Sequence, residues 1–139
     1  MKITLFSIEE ATRQLVEVRP RMEQLVKMNA EFDRIQSRVG VLKVVTAGVS
    51  DDNPDLRERK ALEERTQALA EEISRGIAAI QRLGAVVKDL DRGLVDFYAL
   101  SGDRLVFLCW RLGESEVSHW HSLDGGFSSR QPLHSSERD

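Results

Sequence analysis

The pair of histidines in the segment HWH is the pattern with the clearest potential for chemistry. His119 and His121 are two positions apart, so on a β-strand both side chains lie on the same side, with Trp120 opposite. Two imidazoles on one face can bind a divalent cation when a carboxylate or thiolate completes the ligand set. Such pairs on exposed strands are more often unliganded, so a divalent metal is the alternative interpretation. The side chains available to complete the set are Asp89, Asp96, Cys109 and Glu114.

Asp96 is an acidic residue inside an apolar strand. It lies between Val95 and Phe97, in a stretch whose other side chains are suited to a core. An inward carboxylate is unfavourable there without a partner, because burial removes its hydration. We expect it to need a partner such as Arg111 or Arg130.

Glu114 and Arg130 are charged residues at places where functional side chains are common. Glu114 follows the bend at Gly113, where it either serves a site or closes the turn with Arg111. Arg130 lies between a glycine-rich bend and Pro132, where it either grips a carboxylate or phosphate or braces the sheet. Both interpretations stay open for each residue.

Together these residues suggest a site on the predicted sheet. In this hypothesis the carboxylates and His121 hold a cation or act as acid and base, while Arg130 orients an anionic group. Trp110 or Trp120 supplies an apolar wall. The hypothesis requires Asp89 and His121 to lie on the same face of the sheet. The candidate ligand-binding residues are Asp89, Asp96, Trp110, Glu114, His121 and Arg130, and the candidate metal ligands are Asp89, Glu114 and His121.

The sequence does not favour an enzyme. It contains no Walker loop, no GxSxG elbow and no CxxC pair, so no residue is assigned as catalytic. The segment DRG at Asp91, Arg92 and Gly93 is ordinary hairpin material, and a solvated turn is its simpler interpretation. A hydrolase of unknown substrate remains the alternative to a structural or interaction role.

The elements that position these residues begin after Gly84, where the hydrophobic period becomes strand-like. Short runs rich in β-branched and aromatic residues, AVVKDL, LVDFYAL, RLVFLCWRL and VSHWH, are separated by turn residues. They predict an antiparallel meander of three to four strands within 85–133. Both faces of the longest run are apolar, so we expect it to be the central strand.

Two long helices are predicted before the meander, within residues 8–84. Ser7 and Glu10 have the spacing of a capping box ahead of a heptad seam. Pro20 falls inside that seam, and because the register continues past it, we expect a kink rather than a break. The run DDNP, ending at Pro54, begins the second helix. Frayed helix followed by a loop is expected between the two.

The predicted fold class is therefore α+β: an antiparallel hairpin of two long helices followed by a small antiparallel β-meander. A length of 139 residues is typical of one domain, so we expect a single domain over 1–139. Its polar end, residues 134–139, is predicted to be a disordered tail.

Composition and charge argue against several classes of function. The formal net charge is −3, whereas nucleic-acid binders usually carry a basic excess, so we expect no nucleic acid as partner. No run approaches the roughly 18 apolar residues that span a bilayer, so we expect no membrane association. Cys109 is the single cysteine, and the first residues lack the apolar region of a signal peptide. Both features predict a cytoplasmic protein.

Each helix has more apolar surface than the other can cover. Packing on the sheet hides one side of the hairpin, and a second copy of the chain would hide the rest. Asn29, at a seam position, either sets the register of such an assembly or makes a local polar contact. The sequence thus predicts a homodimer through the helices, which serves as a structural or interaction module for an unknown protein partner.

The chain also resembles the small bacterial proteins grouped as domain of unknown function 2203. The resemblance extends over most of the chain outside 39–62, and the family has no established activity to carry over. The sequence departs from the family pattern at Tyr98, where proline is usual, and at His119, where an aromatic residue is usual. The second departure leaves His121 as the one family-type imidazole. The resemblance rests on FSIEEATRQLVEVRP, VVKDLDRGLVDFYAL, VFLCWRLGESEV and WHSLDGGFSSRQPL, and implies emphasis on Lys88, Asp89, Asp91, Gly93, Asp96, Trp110, Glu114, Trp120, His121, Gly126, Phe127 and Arg130.

Overall fold

The computed structural model describes residues 2–133 and confirms the α+β class, with two long helices followed by an antiparallel sheet. The sheet has five strands, slightly more than the three to four predicted. The predicted tail at 134–139 lies outside the described residues. The elements are α1 (Ile8–Val45), α2 (Pro54–Arg82), β1 (Val86–Asp89), β2 (Leu94–Ser101), β3 (Arg104–Arg111), β4 (His119–Ser122), a 3-10 turn (Phe127–Ser129) and β5 (Gln131–Pro132).

Helix α1 begins at the predicted capping box. The Ser7 hydroxyl accepts a hydrogen bond from the Glu10 amide at 3.1 Å, and the Glu10 carboxylate accepts one from the Ser7 amide at 2.9 Å. The helix runs unbroken through Pro20, so the proline does not divide it. Regular helix extends to Val45, where Thr46 caps it, so the segment predicted to be frayed is mostly helical.

Helix α2 begins where the short polar residues predicted it. The side chain of Asn53 accepts hydrogen bonds from the amides of Asp55 and Leu56, and Pro54 occupies the first turn. Proline is favourable there because its missing N–H would have no helical partner. The cap therefore fixes the point at which the chain turns back along α1.

The two helices cover one face of the sheet, which we call the helix face. There the alternate residues of β2 and β3 pack against the first three turns and the middle of α1 and against the end of α2. This alternation is the period-two pattern of a strand, so the intervening residues lie on the opposite, outer face. The fully apolar core consists of Ala11, Leu15, Val18, Met22, Leu25, Ile80, Ala85, Val95, Phe97, Ala99, Val106, Leu108, Trp110 and Val117.

The strands are arranged in sequence order, β1-β2-β3-β4-β5, with every neighbour antiparallel. The longest apolar run therefore forms the central strand, β3, as predicted. Its register places Cys109 opposite Asp96 on one side and opposite His119 on the other. Phe107 is opposite His121. These pairings bring polar residues from three strands together on the outer face.

The hairpin extends beyond the sheet. We call residues 30–70 the distal arm, because the helix-face core contains no residue of this range. Within the arm, the buried apolar side chains are Val39, Leu42 and Leu69. Among residues 2–133, neither helix combines the length and apolar character required to cross a bilayer.

Candidate functional site

The outer face of the sheet buries three side chains that can do chemistry. Asp96 of β2, Cys109 of β3 and His121 of β4 are 2%, 1% and 4% exposed. Since each lies one position away from a helix-face residue on its strand, the alternation of the strands directs all three to the outer face. The sheet thus gathers a carboxyl group, a thiol and an imidazole from three separate strands.

The hydrogen bonds of His121 fix the orientation of its ring and show which ring nitrogen carries a hydrogen. Its Nδ1 atom lies 2.8 Å from the backbone carbonyl oxygen of Ser122, and its Nε2 atom lies 2.9 Å from Oδ2 of Asp96. A carbonyl oxygen only accepts, so Nδ1 must carry a hydrogen. One proton then remains between Nε2 and Asp96, and the two side chains share it as a neutral pair or as an ion pair.

Burial raises the pKa of two of these three groups. It raises the pKa of Asp96, against the opposing effects of His121 and Lys88. Burial, together with the charge of Asp96, also raises the pKa of the Cys109 thiol to about 12, with Arg130 opposing the shift. The thiol is therefore protonated at neutral pH when no cation is bound.

Asp96 was predicted to pair with Arg111 or Arg130, and this prediction is wrong. Its partner is His121 of β4, which it reaches across the central strand β3. Arg130 instead forms an ion pair with Glu114 and places its Nη1 atom 3.9 Å from the sulfur of Cys109. The carboxylate inside the apolar strand is thus satisfied by an imidazole rather than by a guanidinium.

Glu114 and Arg130 form a second polar unit beside the first. One Glu114 oxygen accepts from the Arg111 amide at 2.8 Å, so Glu114 closes the turn through the backbone of Arg111 rather than its side chain. Burial opposes ionisation of Glu114, but hydrogen bonds from Arg130 and from the Arg111 amide outweigh it and lower its pKa. The bracing interpretation of Arg130 therefore has structural support, since it ties the chain just before β5 to the β3–β4 loop.

Positive charge collects around one aromatic ring on this face. The guanidinium carbons of Arg92, Arg111 and Arg130 lie 5.9, 5.5 and 4.6 Å from the centre of the Phe127 ring. The ammonium of Lys88 lies 4.3 Å from the centre of the Phe107 ring. Contacts of this kind hold cations in place without neutralising them.

A cavity of about 220 Å³ opens among these residues. Asp89 and His121 both line it, so the requirement that they share one face of the sheet is met. Asp89 also accepts a hydrogen bond from the Arg92 amide at 3.0 Å, which makes it the residue that shapes the β1–β2 turn. The principal lining residues are Lys88, Asp89, Arg92, Asp96, His121 and Phe127.

The metal ligands predicted from the sequence, Asp89, Glu114 and His121, are not the set that converges. Within residues 2–133, the one group of three potential ligand atoms that come within 4.8 Å of one another belongs to Asp96, Cys109 and His121. Glu114 is held by Arg130, and Asp89 by its own turn. His119 shares the face of His121, as predicted, but its Nδ1 atom is beside Ser118 and Glu114.

Neither tryptophan lines this cavity. Trp110 is completely buried on the helix face, where its indole N–H donates to the carbonyl oxygen of Glu114 at 2.9 Å. Trp120 packs at the edge of the same core. Both point away from Asp96, because a strand sends adjacent residues to opposite faces. Phe127 is the aromatic residue that lines the cavity instead.

The sequence contained one unused signal for the place of Cys109. A two-residue turn at Gly102 and Asp103 pairs Ser101 with Arg104, and counting back along both strands places Cys109 opposite Asp96. The family resemblance emphasised Lys88 and Phe127, but no local pattern placed either residue at this cavity. Phe127 reaches it from a segment outside the regular strands. Sequence reasoning treated Arg92 as turn material only.

The fold and this face define the molecule as a helical hairpin joined to an antiparallel meander, with a buried polar cluster on the outer face of the sheet. Residues 4–133 match the model of a family described as an uncharacterised conserved protein, DUF2203. The chain belongs to this family, which confirms the resemblance and extends it through residues 39–62. A search of curated proteins and a search of solved structures each returned no significant match.

Proposed function

We propose that the protein is a dimeric interaction module of the bacterial cytoplasm, and that the distal arm is its contact surface. The supporting observation is a cluster of exposed valines near the end of α1. Val41, Val44 and Val45 are 54%, 77% and 53% exposed, although each is a large apolar residue. Exposed apolar side chains that cluster, rather than occur singly, are typical of protein contact sites.

The length of the arm favours a second helical hairpin as its partner. Helix α1 has 38 residues and so extends about 57 Å, well beyond the part that packs on the sheet. Two helices alone bury a single seam between them, here Val39, Leu42 and Leu69. A second pair of helices converts such a hairpin into a four-helix bundle with a closed core.

A second copy of this chain is the occupant we propose for the arm. In a twofold contact the same patch serves both partners, so the valine cluster covers its own counterpart and no second patch is required. Between the two helices of one arm, Arg38 pairs with Glu58 and Arg65 with Glu31. These charged pairs rim the arm in the way that polar residues commonly rim an apolar contact.

Asn29 lies outside the distal arm. Its side-chain amide donates to the carboxylate of Asp91 at 2.9 Å and so ties α1 to the β1–β2 turn of the same chain. This is the local polar contact that the sequence allowed. A role of Asn29 in the register of a dimer has no support from this contact.

Light scattering coupled to size exclusion tests the dimer over a series of concentrations that reaches low micromolar. We expect the mass of two chains throughout, and the mass of one chain after Val41→Glu with Val44→Glu. Val16→Glu is the matched control, because Val16 is 78% exposed on the same helix but outside the arm. A monomer of the unmodified chain at micromolar concentration would contradict the proposal, as would a dimer that the arm variant leaves intact.

The second candidate function is a small-ligand-binding domain whose site is the cavity on the outer face. The observation that favours it is the convergence of Asp89, Asp96 and His121 on one cavity that Lys88 and Arg92 also line. Among residues 2–133, no carboxylate lies within ion-pair distance of either cation. Lys88 and Arg92 are therefore available to bind an anionic group of a ligand, and a hydrolytic reaction on such a ligand belongs to this candidate.

Calorimetric titration with inorganic phosphate at low ionic strength tests this candidate. We expect saturable binding that weakens as salt rises and that Arg92→Gln weakens several-fold. Arg104→Gln is the matched control, because Arg104 lies at the far end of β3 and outside the cavity. Absence of saturable binding, or equal loss in both variants, would contradict it.

A further inference from the structure

We propose that Asp96, Cys109 and His121 form a three-ligand site for a zinc-type divalent cation at the floor of the cavity. Their potential ligand atoms lie within 4.8 Å of one another, and all three residues line the cavity. The inference goes beyond the two functions proposed above, because neither an arm-mediated dimer nor an anion site requires a metal. Asp96 and Cys109 were among the residues that could complete the histidine pair, whereas the ligand set expected from the sequence was Asp89, Glu114 and His121.

The chemistry of the three donors selects the class of metal. One sulfur, one imidazole nitrogen and one carboxylate oxygen suit a borderline-soft ion such as Zn²⁺ or Co²⁺. Mg²⁺ and Ca²⁺ prefer sets composed of oxygen, and a thiol is a poor ligand for either. Three protein ligands leave a fourth tetrahedral position, which is the arrangement of catalytic rather than structural zinc. That position would face the cavity.

The second hydrogen bond of His121 supports the assignment independently. A histidine that binds a metal through one nitrogen usually donates its other N–H to a carboxylate or a backbone carbonyl. The Nδ1 atom of His121 makes this bond to the Ser122 carbonyl at 2.8 Å. The ring is therefore oriented with Nε2, the potential ligand atom, toward Asp96 and Cys109.

Binding of the cation would release protons from the three ligands, and the charges gained and lost are equal. The thiol of Cys109 loses its proton, and the proton shared by Asp96 and His121 leaves as well, whichever of the two holds it. Two protons are released and one divalent cation enters, so the net charge of the buried site is unchanged. This matters because a change of net charge in a buried site would be costly.

Arg130 is a positioning residue for this site. Its Nη1 atom lies 3.9 Å from the sulfur of Cys109, and Glu114 holds the guanidinium there. The guanidinium N–H is placed to donate a hydrogen bond to the sulfur, and a neighbour of this kind orients the ligand for the metal. Removal of Arg130 should therefore weaken metal binding without removing a ligand.

Cobalt titration of untagged, chelator-treated protein tests the proposal. We expect one Co²⁺ per chain, with tetrahedral absorption bands and a thiolate-to-cobalt charge-transfer band that Zn²⁺ abolishes by displacement. Cys109→Ser should remove the charge-transfer band, and Asp96→Asn should weaken binding. Arg130→Gln should lower the affinity about 10- to 100-fold and keep the charge-transfer band, as expected of a neighbour of the ligand shell. His119→Ala, on the same strand and face, should change neither band nor stoichiometry.

The outcomes separate this inference from the functions proposed above. Circular dichroism establishes that each variant is folded before its titration is interpreted. No saturable binding to the folded unmodified chain would overturn the inference, as would a charge-transfer band that survives in Cys109→Ser. Phosphate binding and mass are measured on the metal-free protein, so they stand or fall independently of the cobalt result.

Discussion

The two faces of the same sheet show different solutions to burial. The helix face buries Phe97, Leu108 and Trp110 among apolar helix residues, and it needs no polar partner except at the indole N–H. The outer face buries Asp96, Cys109 and His121 to a similar degree, at a cavity whose lining includes no residue of α1 or α2. Apolar burial stabilises a fold directly, whereas buried polar groups stabilise it only when each is satisfied. The apolar contacts that stabilise the fold are therefore concentrated on the helix face, and the buried side chains that can bind or exchange protons lie on the outer face.

The helix face should respond most strongly to truncation. Trp110→Ala removes a completely buried side chain from the core and is expected to lower the free energy of unfolding by about 3–5 kcal/mol. Urea denaturation monitored by circular dichroism measures the loss. Trp120→Ala is the matched control, since Trp120 is only partly buried at the edge of the same core, and it should cost clearly less. Equal losses in unfolding free energy would contradict the expectation that the more deeply buried tryptophan contributes more to stability.

The outer face should respond to the loss of hydrogen-bond partners rather than of volume. Asp96→Ala leaves Nε2 of His121 buried without a partner and should cost about 1–3 kcal/mol. Asp96→Asn should cost less, because an amide N–H can donate to Nε2 when Nδ1 carries the hydrogen. Both are measured by urea denaturation of metal-free protein, and nitrogen NMR of His121 reports the tautomer. A larger loss for asparagine than for alanine would contradict the assigned tautomer.

The β1–β2 turn depends on the glycine at position 93. Gly93 has a φ of +68°, and a Cβ there would lie 2.7 Å from Cβ of Leu112. Gly102 has a similar φ of +64° but open space around it. Gly93→Ala should therefore destabilise the fold by about 1 kcal/mol more than Gly102→Ala, the excess being the steric contribution. Thermal unfolding of the two variants measures it, and equal melting temperatures would mean that Leu112 moves aside.

The helices and the central strand could be predicted because their signals are local. The capping box at Ser7, the Asn53–Pro54 start of α2 and the continuous apolar run of β3 each depend on residues a few positions apart. The pairing of Asp96 with Cys109 was also within reach, since a two-residue turn fixes that register. No such constraint places His121, because residues 112–118 form a longer loop whose geometry is not local.

The remaining errors on the outer face have the same origin. The sequence offered Asp96 two arginines as partners, since guanidinium groups are the usual neutralisers of a buried carboxylate. The choice of His121 instead depends on the β3–β4 register, which nothing local specifies. Phe127 likewise reaches the cavity from a segment between two short strands. Prediction thus succeeded where contacts are close in sequence and failed where separate segments meet.

The smallest expected effect concerns the rim of the outer face, at the ion pair of Glu114 and Arg130. The pKa of Glu114 is lowered in the folded chain, so its contribution to stability is complete above the ordinary value of about 4.3 and is lost as the pH falls through the lower, folded value. Glu114→Gln should cost about 1 kcal/mol or less at neutral pH, because the pair is partly exposed.

The pH dependence of that difference is the sharper measurement. Unfolding by urea at neutral pH and at about pH 3 should show the gap between the unmodified chain and Glu114→Gln shrinking as Glu114 becomes protonated. Glu64→Gln, on the exposed side of α2, is the matched control and should show little difference at either pH. A gap that persists unchanged in acid would mean that Glu114 acts through packing, and the rim would then resemble the helix face rather than the charged cluster beside it.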